Sequence, residues 1–377
     1  MKIRKIRARQ IKDCRGKPTI QIFVNGASGS APSGTSKSKF EVLDYGFSLA
    51  KTVSYINSKL AKNLIGMEIE TFEDLKKLNS VYLDLLGGNP RIALEFAILN
   101  ALAKDQEKEL WEILNPSATE MPRILANVAG GGAHAPKSNF DIQELLLSPR
   151  QDSFREDFQT ARKLYRAIGK YSTKAKTIEH AWIFNKSAHE VLDIISKLLP
   201  PEVELGCDFA ASNIWAHGSY HWHELGELDK RQHFKYISQL AYEFELFYLE
   251  DPFNQTDFEG FAKLLKENPF SLVCGDDLIA TNLKRLKQAV EERAINAVIV
   301  KPNQIGSLLA AKEVLDFARS HEIVPVLSHR SGETMDATIA DIAFAWQVPF
   351  VKFGIDGKER LAKLYRLIEI EERLNKV

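Results

Sequence analysis

Six polar side chains each follow a short apolar run in the second part of the chain, at intervals of 23 to 42 residues. In chain order they are Asp208, Glu250, Asp276, Lys301, His329 and Lys352. Each interval is about the length of one strand and one helix, so we expect the strands to lie side by side with their carboxyl ends on one rim. A single polar residue at a strand end is often only a solvated loop start. Six in phase indicate a shared site.

The types of these residues indicate a definite chemistry. Asp208, Glu250 and Asp276 would repel one another strongly unless a cation neutralised them. A set of single carboxylate oxygens suits Mg²⁺ better than zinc. Lys301 stands one strand beyond this predicted metal, where we expect it to be partly deprotonated and able to act as a base. The pattern predicts a magnesium site beside a basic lysine.

The rest of the sequence must supply the elements that hold this rim. After residue 122, short apolar runs alternate with amphipathic helices in six units, and earlier material supplies two more strands. This alternation predicts a parallel sheet closed into a barrel. The first part of the chain has extended segments, then a small-residue stretch at 26–39 with the composition of a flexible linker, then helical patterns. We predict an α/β protein with a small N-terminal α+β domain at 1–118 and a barrel domain at 119–377.

Composition excludes several classes of protein. The 377 residues carry 50 Lys and Arg against 50 Asp and Glu, so we expect no nucleic-acid binder driven by net charge. No apolar stretch approaches about 18 residues, so we expect no membrane span. The basic start at 2–9 lacks an apolar signal region, and the three cysteines are too scattered for a disulfide framework. We therefore expect a cytoplasmic location and interpret the basic start as the solvent face of an edge strand, with RNA contact as the alternative.

Several motifs resemble those of the enolase family, and they run over almost the whole chain. The most specific are Lys301-Pro-Asn-Gln-Ile-Gly306 and Ser328-His-Arg-Ser-Gly-Glu-Thr334. The others are Ala8–Thr19, with Cys14 where serine is usual, Pro32–Ser36, Asn127–His134, Asp141–Glu144, Leu249–Phe253 and Gly275–Leu278. The resemblance implies a small α+β domain before an enolase-type (β/α)8 barrel, and the dehydration of 2-phosphoglycerate to phosphoenolpyruvate.

The resemblance also implies how the metals and the base are arranged. The three carboxylates of the rim would hold one Mg²⁺, and Ser36 would help to hold a second. The match at 32–36 changes the interpretation of the stretch at 26–39 from a linker to a loop over the active site. Lys301 would remove the proton next to the substrate carboxylate. Lys352 and the two metals would then stabilise the aci-carboxylate that forms.

The remaining matches would surround the substrate. His329, Arg330 and Ser331 would donate to its phosphate, and Arg330 is capable of paired hydrogen bonds. His134 and Glu144 would line the pocket near the leaving hydroxyl. The family resemblance implies a homodimer as well.

The general acid is the position at which the sequence departs from the family. Enolases carry this acid in an Asp-Glu-Gly-Gly loop, and the chain has no such tetrapeptide. The segment 185–193 resembles the family's segment after that loop, and counting back from it places the glutamate at Glu179. We predict that Glu179 protonates the leaving hydroxide. The alternative is a helix-capping or solvent-facing glutamate, which is the commoner role of this residue type.

Other interpretations stay open at this level. One is another enolase-superfamily dehydratase, acting on a different carboxylate, although Arg330 and its neighbours favour a phosphate. Another is a catalytically impaired paralogue kept for binding, for which the altered loop around Glu179 is the only motive. The histidine-rich stretch at 217–223 is either a zinc site or, as we interpret it, a hairpin with Tyr220 and Trp222 on one face.

Overall fold

A computed structural model describes the protein over residues 1–34, 38–81 and 83–375. Ser36, predicted to help hold a second Mg²⁺, lies outside these described residues. Among the described residues, no helix is both long and apolar enough to cross a membrane.

An antiparallel sheet opens the chain. Its strands are β1 (Ile6–Lys12), β2 (Pro18–Val24) and β3 (Ala27–Ser30), with β2 in the middle. β1 is therefore an edge strand, and it exposes Arg7 and Arg9 to solvent as predicted. β3 corrects the linker interpretation of 26–39, because its first residues pair with β2. Small residues are needed there since a Cβ at Gly29 would lie 2.4 Å from the carbonyl oxygen of Ala93.

Helical segments follow this sheet, and the first and the longest of the helices pack on it. The helices are α1 (Leu49–Tyr55), α2 (Ala61–Leu64), α3 (Gly88–Asp105) and α4 (Leu110–Leu114), with a π-helical segment at Ile56–Leu60 and 3-10 segments at Phe72–Val81 and Leu83–Leu86. α3 is apolar on nearly all sides, which is typical of a buried helix. It lies between β2 and β3 on one side and the barrel on the other.

The second part of the chain forms the barrel. Its strands are β4 (Arg123–Ile124), β5 (Ala126–Gly130), β6 (Glu144–Pro149), β7 (Val203–Asp208), β11 (Tyr248–Glu250), β12 (Leu272–Gly275), β13 (Ala297–Val300), β14 (Val324–Ser328) and β15 (Phe350–Lys352). Between β7 and β11 the chain forms a separate β-meander of β8 (Trp215–Ala216), β9 (Ser219–Trp222) and β10 (Gly226–Leu228). β4 and β5 are two halves of one strand. β4 pairs with the last strand and β5 with β6, so the sheet closes on itself.

Helices surround the barrel. They are α5 (Phe154–Ile168), α6 (Ala188–Ser196), α7 (Lys230–Glu243), α8 (Phe258–Glu267), α9 (Leu283–Glu291), α10 (Pro302–Ile305), α11 (Leu308–Ser320), α12 (Thr338–Ala345) and α13 (Lys358–Leu374). Apolar side chains fill the interior beneath the rim, among them Leu125, Leu146, Tyr248, Cys274, Ile299 and Val326. The barrel domain thus begins with two strands, of which β4 and β5 form the first and β6 the second, and continues with the helices α5 and α6. Six strand–helix units follow, with the short α10 added after β13.

One strand departs from the parallel sheet that the alternation predicted. β6 runs antiparallel to both β5 and β7. No α-helix lies between β5 and β6, and a connection without a crossover helix returns the chain in the opposite direction. Glu144, the first residue of β6, is therefore the register partner of Asp208, the last residue of β7. Reversing this one strand brings Glu144 to the rim formed by the carboxyl ends of the others.

A buried carboxylate joins α3 to the barrel. Glu95 is fully buried and accepts a hydrogen bond of 2.6 Å from the backbone N–H of Leu308, at the start of α11. Its other oxygen pairs with Arg91, one turn earlier on α3. The first amides of a helix have no partner within the helix, so an acceptor from another element stabilises the helix terminus and ties the elements together.

Glu95→Ala is expected to lower the free energy of unfolding by about 1–3 kcal/mol, because the buried Leu308 N–H loses its acceptor. Chemical denaturation followed by circular dichroism would measure the loss. Glu313→Ala, on the exposed side of α11, is the control and is expected to change stability by less than about 0.5 kcal/mol. Equal effects of the two substitutions would contradict the role of Glu95.

Candidate active site

The six side chains predicted to share a rim do so. Asp208, Glu250 and Lys352 are the last residues of β7, β11 and β15. Asp276, Lys301 and His329 directly follow β12, β13 and β14. Five of the six line a single cavity together with Glu144, and Glu250 lies beneath it against Lys352.

Lys352 is enclosed by carboxylates. Its Nζ donates to Asp208 Oδ2 at 2.8 Å and to Glu250 Oε1 at 2.9 Å, and it lies 3.1 Å from Glu144 Oε2. All four groups are buried. Burial disfavours the ammonium form, but the three carboxylates outweigh it and hold the pKa of Lys352 well above its usual value. Lys352 therefore provides a fixed positive charge at the base of the cavity.

Lys301 is paired with a carboxylate as well. Its Nζ forms an ion pair with Asp276. Burial alone would lower the pKa of Lys301, but the adjacent carboxylate raises it above the usual value. The partly deprotonated state, which the sequence analysis expects beside a bound Mg²⁺, stays a prediction. Proton abstraction by Lys301 requires a change in the charge around Asp276.

The acidic group is larger than the sequence analysis proposed, since it includes Asp251 and Asp277. Asp251 accepts from the backbone N–H groups of Asp276 at 3.0 Å and of Asp277 at 2.6 Å, which fixes the turn after β12. Burial and the neighbouring Asp208 raise the pKa of Glu250 to about 8. Burial and Asp276 raise that of Asp277 to about 7. Raised pKa values of this kind are expected where buried carboxylates lie close together.

The donor set fits a hard divalent cation. Oxygen atoms from several carboxylates at one end of a buried cavity are the ligands that Mg²⁺ prefers. Lysine contacts separate the three predicted ligands, however, because Lys352 holds Asp208 and Glu250 while Lys301 holds Asp276. A cation at this position has to replace some of these contacts.

A second group combines a histidine with two glutamates. His134, Glu144 and Glu179 each offer one ligand atom, and these atoms all lie within 4.8 Å of one another. His134 Nδ1 lies 3.7 Å from Glu144 Oε1, and its Nε2 lies 3.9 Å from Glu179 Oε1. His329 Nε2 is 3.3 Å from Glu179 Oε2. The structure thus brings His134, His329 and both glutamates to one wall of the cavity.

The two glutamates of this wall have opposite protonation preferences. Burial, opposed only in part by Lys352, raises the pKa of Glu144 well above its usual value. Burial would also raise the pKa of Glu179, but His134, His329 and the Arg360 guanidinium lower it well below. Of the two, Glu144 is therefore the one that retains a proton more readily, and Glu179 is the more readily ionised.

Glu179 is neither a helix cap nor solvent-facing. Its side chain is 4% exposed, so that alternative is wrong. The loop bends at His180, whose φ of 63° lies in the left-handed region, where the family's loop has glycine. The Tyr165 hydroxyl donates to the His180 carbonyl, and His180 Nε2 lies 3.4 Å from Glu359 Oε1. These contacts stabilise a conformation that a non-glycine residue adopts at a cost.

The predicted phosphate residues form the adjacent wall. Arg330 donates to Asn303 Oδ1 at 3.1 Å and, through Nη2, to both carboxylate oxygens of Glu41. The carbonyl of Ser331 accepts from Arg360 Nη2 at 2.9 Å. Together with His329, these residues give the cavity a wall of hydrogen-bond donors next to Lys301.

The comparisons with known proteins agree with this site. The sequence matches "Enolase, N-terminal domain" over residues 3–114 and "Enolase, C-terminal TIM barrel domain" over residues 118–377. An enolase of Methanosphaera stadtmanae is 34% identical over 405 residues, covering 99% of this chain and 97% of that protein. One of Methanocorpusculum labreanum is 36% identical over 394 residues, covering 97% of each. The chain belongs to the enolase family.

Membership confirms the resemblance, the fold class and the reaction predicted from the sequence. Enolases dehydrate 2-phosphoglycerate to phosphoenolpyruvate, so the chain is a lyase whose substrate is a phosphorylated small molecule. An enolase of Thermoplasma acidophilum, 33% identical over 397 residues, covers 99% of this chain and 98% of that protein. The match is therefore not confined to the barrel.

The β-meander after β7 has the arrangement predicted for it. Tyr220 and Trp222 are buried, and His221 is exposed. Trp222 Nε1 donates to Nδ1 of the buried His233, whose Nε2 contacts the Pro252 carbonyl at 2.8 Å. The meander thus supports the segment that follows Glu250.

Sequence reasoning missed several residues of the cavity wall. They are Gly34, Glu41, Gln143, Asp251, Asp277 and Gln304. Gly34, Gln143, Asp251, Asp277 and Gln304 each lie inside a family motif, so their proximity to assigned residues was a usable signal. Gly34 and Glu41 lie on the segments flanking 35–37, and no spacing rule relates Glu41 to the barrel strands.

Mg²⁺ binding is expected to release protons at neutral pH, because Glu250 and Asp277 have raised pKa values of about 8 and about 7 and a cation must displace their protons. Affinity is expected to weaken by up to about tenfold for each pH unit below 8. Isothermal titration calorimetry in buffers of different ionisation enthalpy measures the proton count. Glu250→Gln should flatten the pH dependence, and binding without proton release in the unsubstituted enzyme would contradict the charge assignment.

Proposed function

We propose that Lys301 is the base of this enolase and that Glu144 and Glu179 together form its acid. The proposal rests on the positions of the base and the acid on opposite sides of the barrel. In the ring of strands, β13 and β6 are four positions apart, so Lys301 and Glu144 start from opposite walls. A substrate between them can lose a proton on one face and its hydroxyl group on the other.

The proton balance follows from these positions. Lys301 Nζ takes the proton from the carbon next to the substrate carboxylate. The carbon–oxygen bond to the hydroxyl then breaks, and a glutamic acid of the opposite wall protonates the departing oxygen, so that water leaves. The raised pKa of Glu144 makes it the readier of the two to hold that proton, and Glu179, within 4.8 Å across His134, is positioned to receive it or to donate in its place. Lys352 stabilises the charge that develops on the substrate carboxylate.

Mg²⁺ is the proposed cofactor, two ions in each active site, with Asp208, Glu250 and Asp276 as ligands of the first. When bound there, the ions supply positive charge that offsets the carboxylates, stabilises the developing enolate and lowers the pKa of neighbouring ammonium groups. Ser36 stays a predicted ligand of the second. The crowding of buried carboxylates supports the first assignment.

His329, Arg330 and Ser331 are proposed to bind the phosphate. Their wall lies beside Lys301, which would place the reacting carbon of a phosphoglycerate near that lysine. Arg330→Ala is expected to raise KM for 2-phosphoglycerate by at least about tenfold, since a charge-assisted contact is lost. Steady-state kinetics measure this change in KM. Turnover of 2-phosphoglycerate unharmed by this substitution would favour the alternative of a dehydratase for a different carboxylate.

Other aspects of the proposal concern the whole chain. We propose a boundary between the two domains at 118/119, which agrees with family matches ending at 114 and starting at 118. A homodimer is proposed from the family resemblance, and a cytoplasmic location from the few, scattered cysteines of the sequence. Size-exclusion chromatography with light scattering tests the dimer.

The test of the acid pair is the appearance of phosphoenolpyruvate from 2-phosphoglycerate, followed by ultraviolet absorbance with Mg²⁺ and with chelator. Glu179→Gln and Glu144→Gln are each expected to lower kcat by about 100-fold or more, because general-acid catalysis contributes on that scale. Glu267→Gln, on an exposed position of α8, is the charge-matched control.

The two substitutions separate the possible roles. Loss of turnover with Glu179→Gln alone identifies Glu179 as the donor and leaves Glu144 as lining. Loss with Glu144→Gln alone makes Glu144 the donor and contradicts the sequence prediction. A folded, Mg²⁺-binding protein without turnover would instead support an impaired paralogue.

A further inference from the structure

The phosphate-binding arginine of the proposed mechanism already holds an anion from its own chain. Nη2 of Arg330 lies 2.9 Å from Glu41 Oε2 and 3.2 Å from Oε1. The side chains of both residues are only 4% exposed. A pair with this little exposure interacts more strongly than one in open solvent, since water and salt screen it less.

The atom that Glu41 contacts is the one that a phosphate needs. A guanidinium forms paired hydrogen bonds through two edges, one made by Nη1 and Nη2 and the other by Nε and Nη2. Nη2 belongs to both. Nη1 donates to Asn303 Oδ1 at 3.1 Å. A phosphate that makes paired contacts with Arg330 must therefore share Nη2 with Glu41 or displace Glu41 from it.

Neighbouring residues hold Glu41 in this position. Its Oε1 accepts from Gln304 Nε2 at 3.3 Å and from the backbone N–H of Ser38 at 3.2 Å. The backbone N–H of Val42 donates to the Gln304 carbonyl at 2.9 Å. The carboxylate is thus fixed from both sides by the segment that carries it and by α10, and its contact with Arg330 is part of the architecture of the cavity.

We propose that Glu41 is a specificity-determining residue, an internal carboxylate that occupies the phosphate position of Arg330 until substrate displaces it. The inference rests on the proposed role of Arg330. A carboxylate carries one negative charge and a phosphate monoester nearly two at neutral pH. Arg330 therefore exchanges Glu41 readily for a phosphorylated ligand, whereas a singly charged anion gains nothing over the carboxylate already present.

The proposal predicts that removing the charge of Glu41 strengthens phosphate binding. The probe is inorganic phosphate, used as a competitive inhibitor of 2-phosphoglycerate turnover at fixed Mg²⁺ and pH. Glu41→Gln keeps the size and hydrogen-bonding capacity of the side chain, and it is expected to lower the inhibition constant of phosphate by at least about threefold, because one nearby negative charge is lost. Glu41→Ala is a second variant with the same expected direction. Glu267→Gln is the control and should leave the constant unchanged.

Failure of this inference and failure of the proposed function give different results. If Arg330→Ala weakens phosphate inhibition but both Glu41 variants leave it unchanged or weaken it, Arg330 binds phosphate and Glu41 is not its competitor. If Arg330→Ala leaves phosphate inhibition unchanged, the assignment of Arg330 itself is wrong. Tighter inhibition in both Glu41 variants, lost when Arg330→Ala is added, supports the internal competition.

Discussion

The concentration of buried carboxylates at one end of the barrel is the constraint on which the rest of the site depends. Such groups repel one another in a medium that screens charge poorly, so each must find a cation or keep its proton. The protein uses both solutions. Two lysines supply cations, since Lys352 stands among Asp208, Glu250 and Glu144 and Lys301 pairs with Asp276. The raised pKa of Glu250 favours its protonated form near neutrality. Divalent cations and an anionic substrate would redistribute this balance.

The reversed direction of β6 places one of these carboxyl groups where it can take part in the reaction. With β6 parallel to its neighbours, Glu144 would start the strand at the far end of the barrel, away from the rim. Because β5 and β6 are joined without a crossover helix, β6 runs back and its first residue faces the last residue of β7. A carboxyl group whose pKa is raised by burial thereby stands opposite the wall that carries Lys301, as an elimination with separate base and acid requires.

The loop of Glu179 shows that an active-site position can survive a change in its local sequence. Where the family uses glycine, this chain has His180 in a left-handed conformation. The Tyr165 hydroxyl and Glu359 contact that residue from two different helices, and Glu179 reaches the imidazoles of His134 and His329. Contacts that are distant in sequence offset the local strain.

The strand ends and the residues they carry could be predicted from the sequence, since apolar runs with polar termini follow from local burial. The run before Asp208 is the strand β7, which ends at that residue, and family motifs added Glu144, His134 and Arg330. Four features could be seen only in the folded protein: the direction of β6, the pairing of Lys301 with Asp276, the proton preference of Glu144 over Glu179, and the contact of Glu41 with Arg330. Each of these depends on distances between segments far apart in the chain, and the sign of a charge interaction in a buried site depends on those distances.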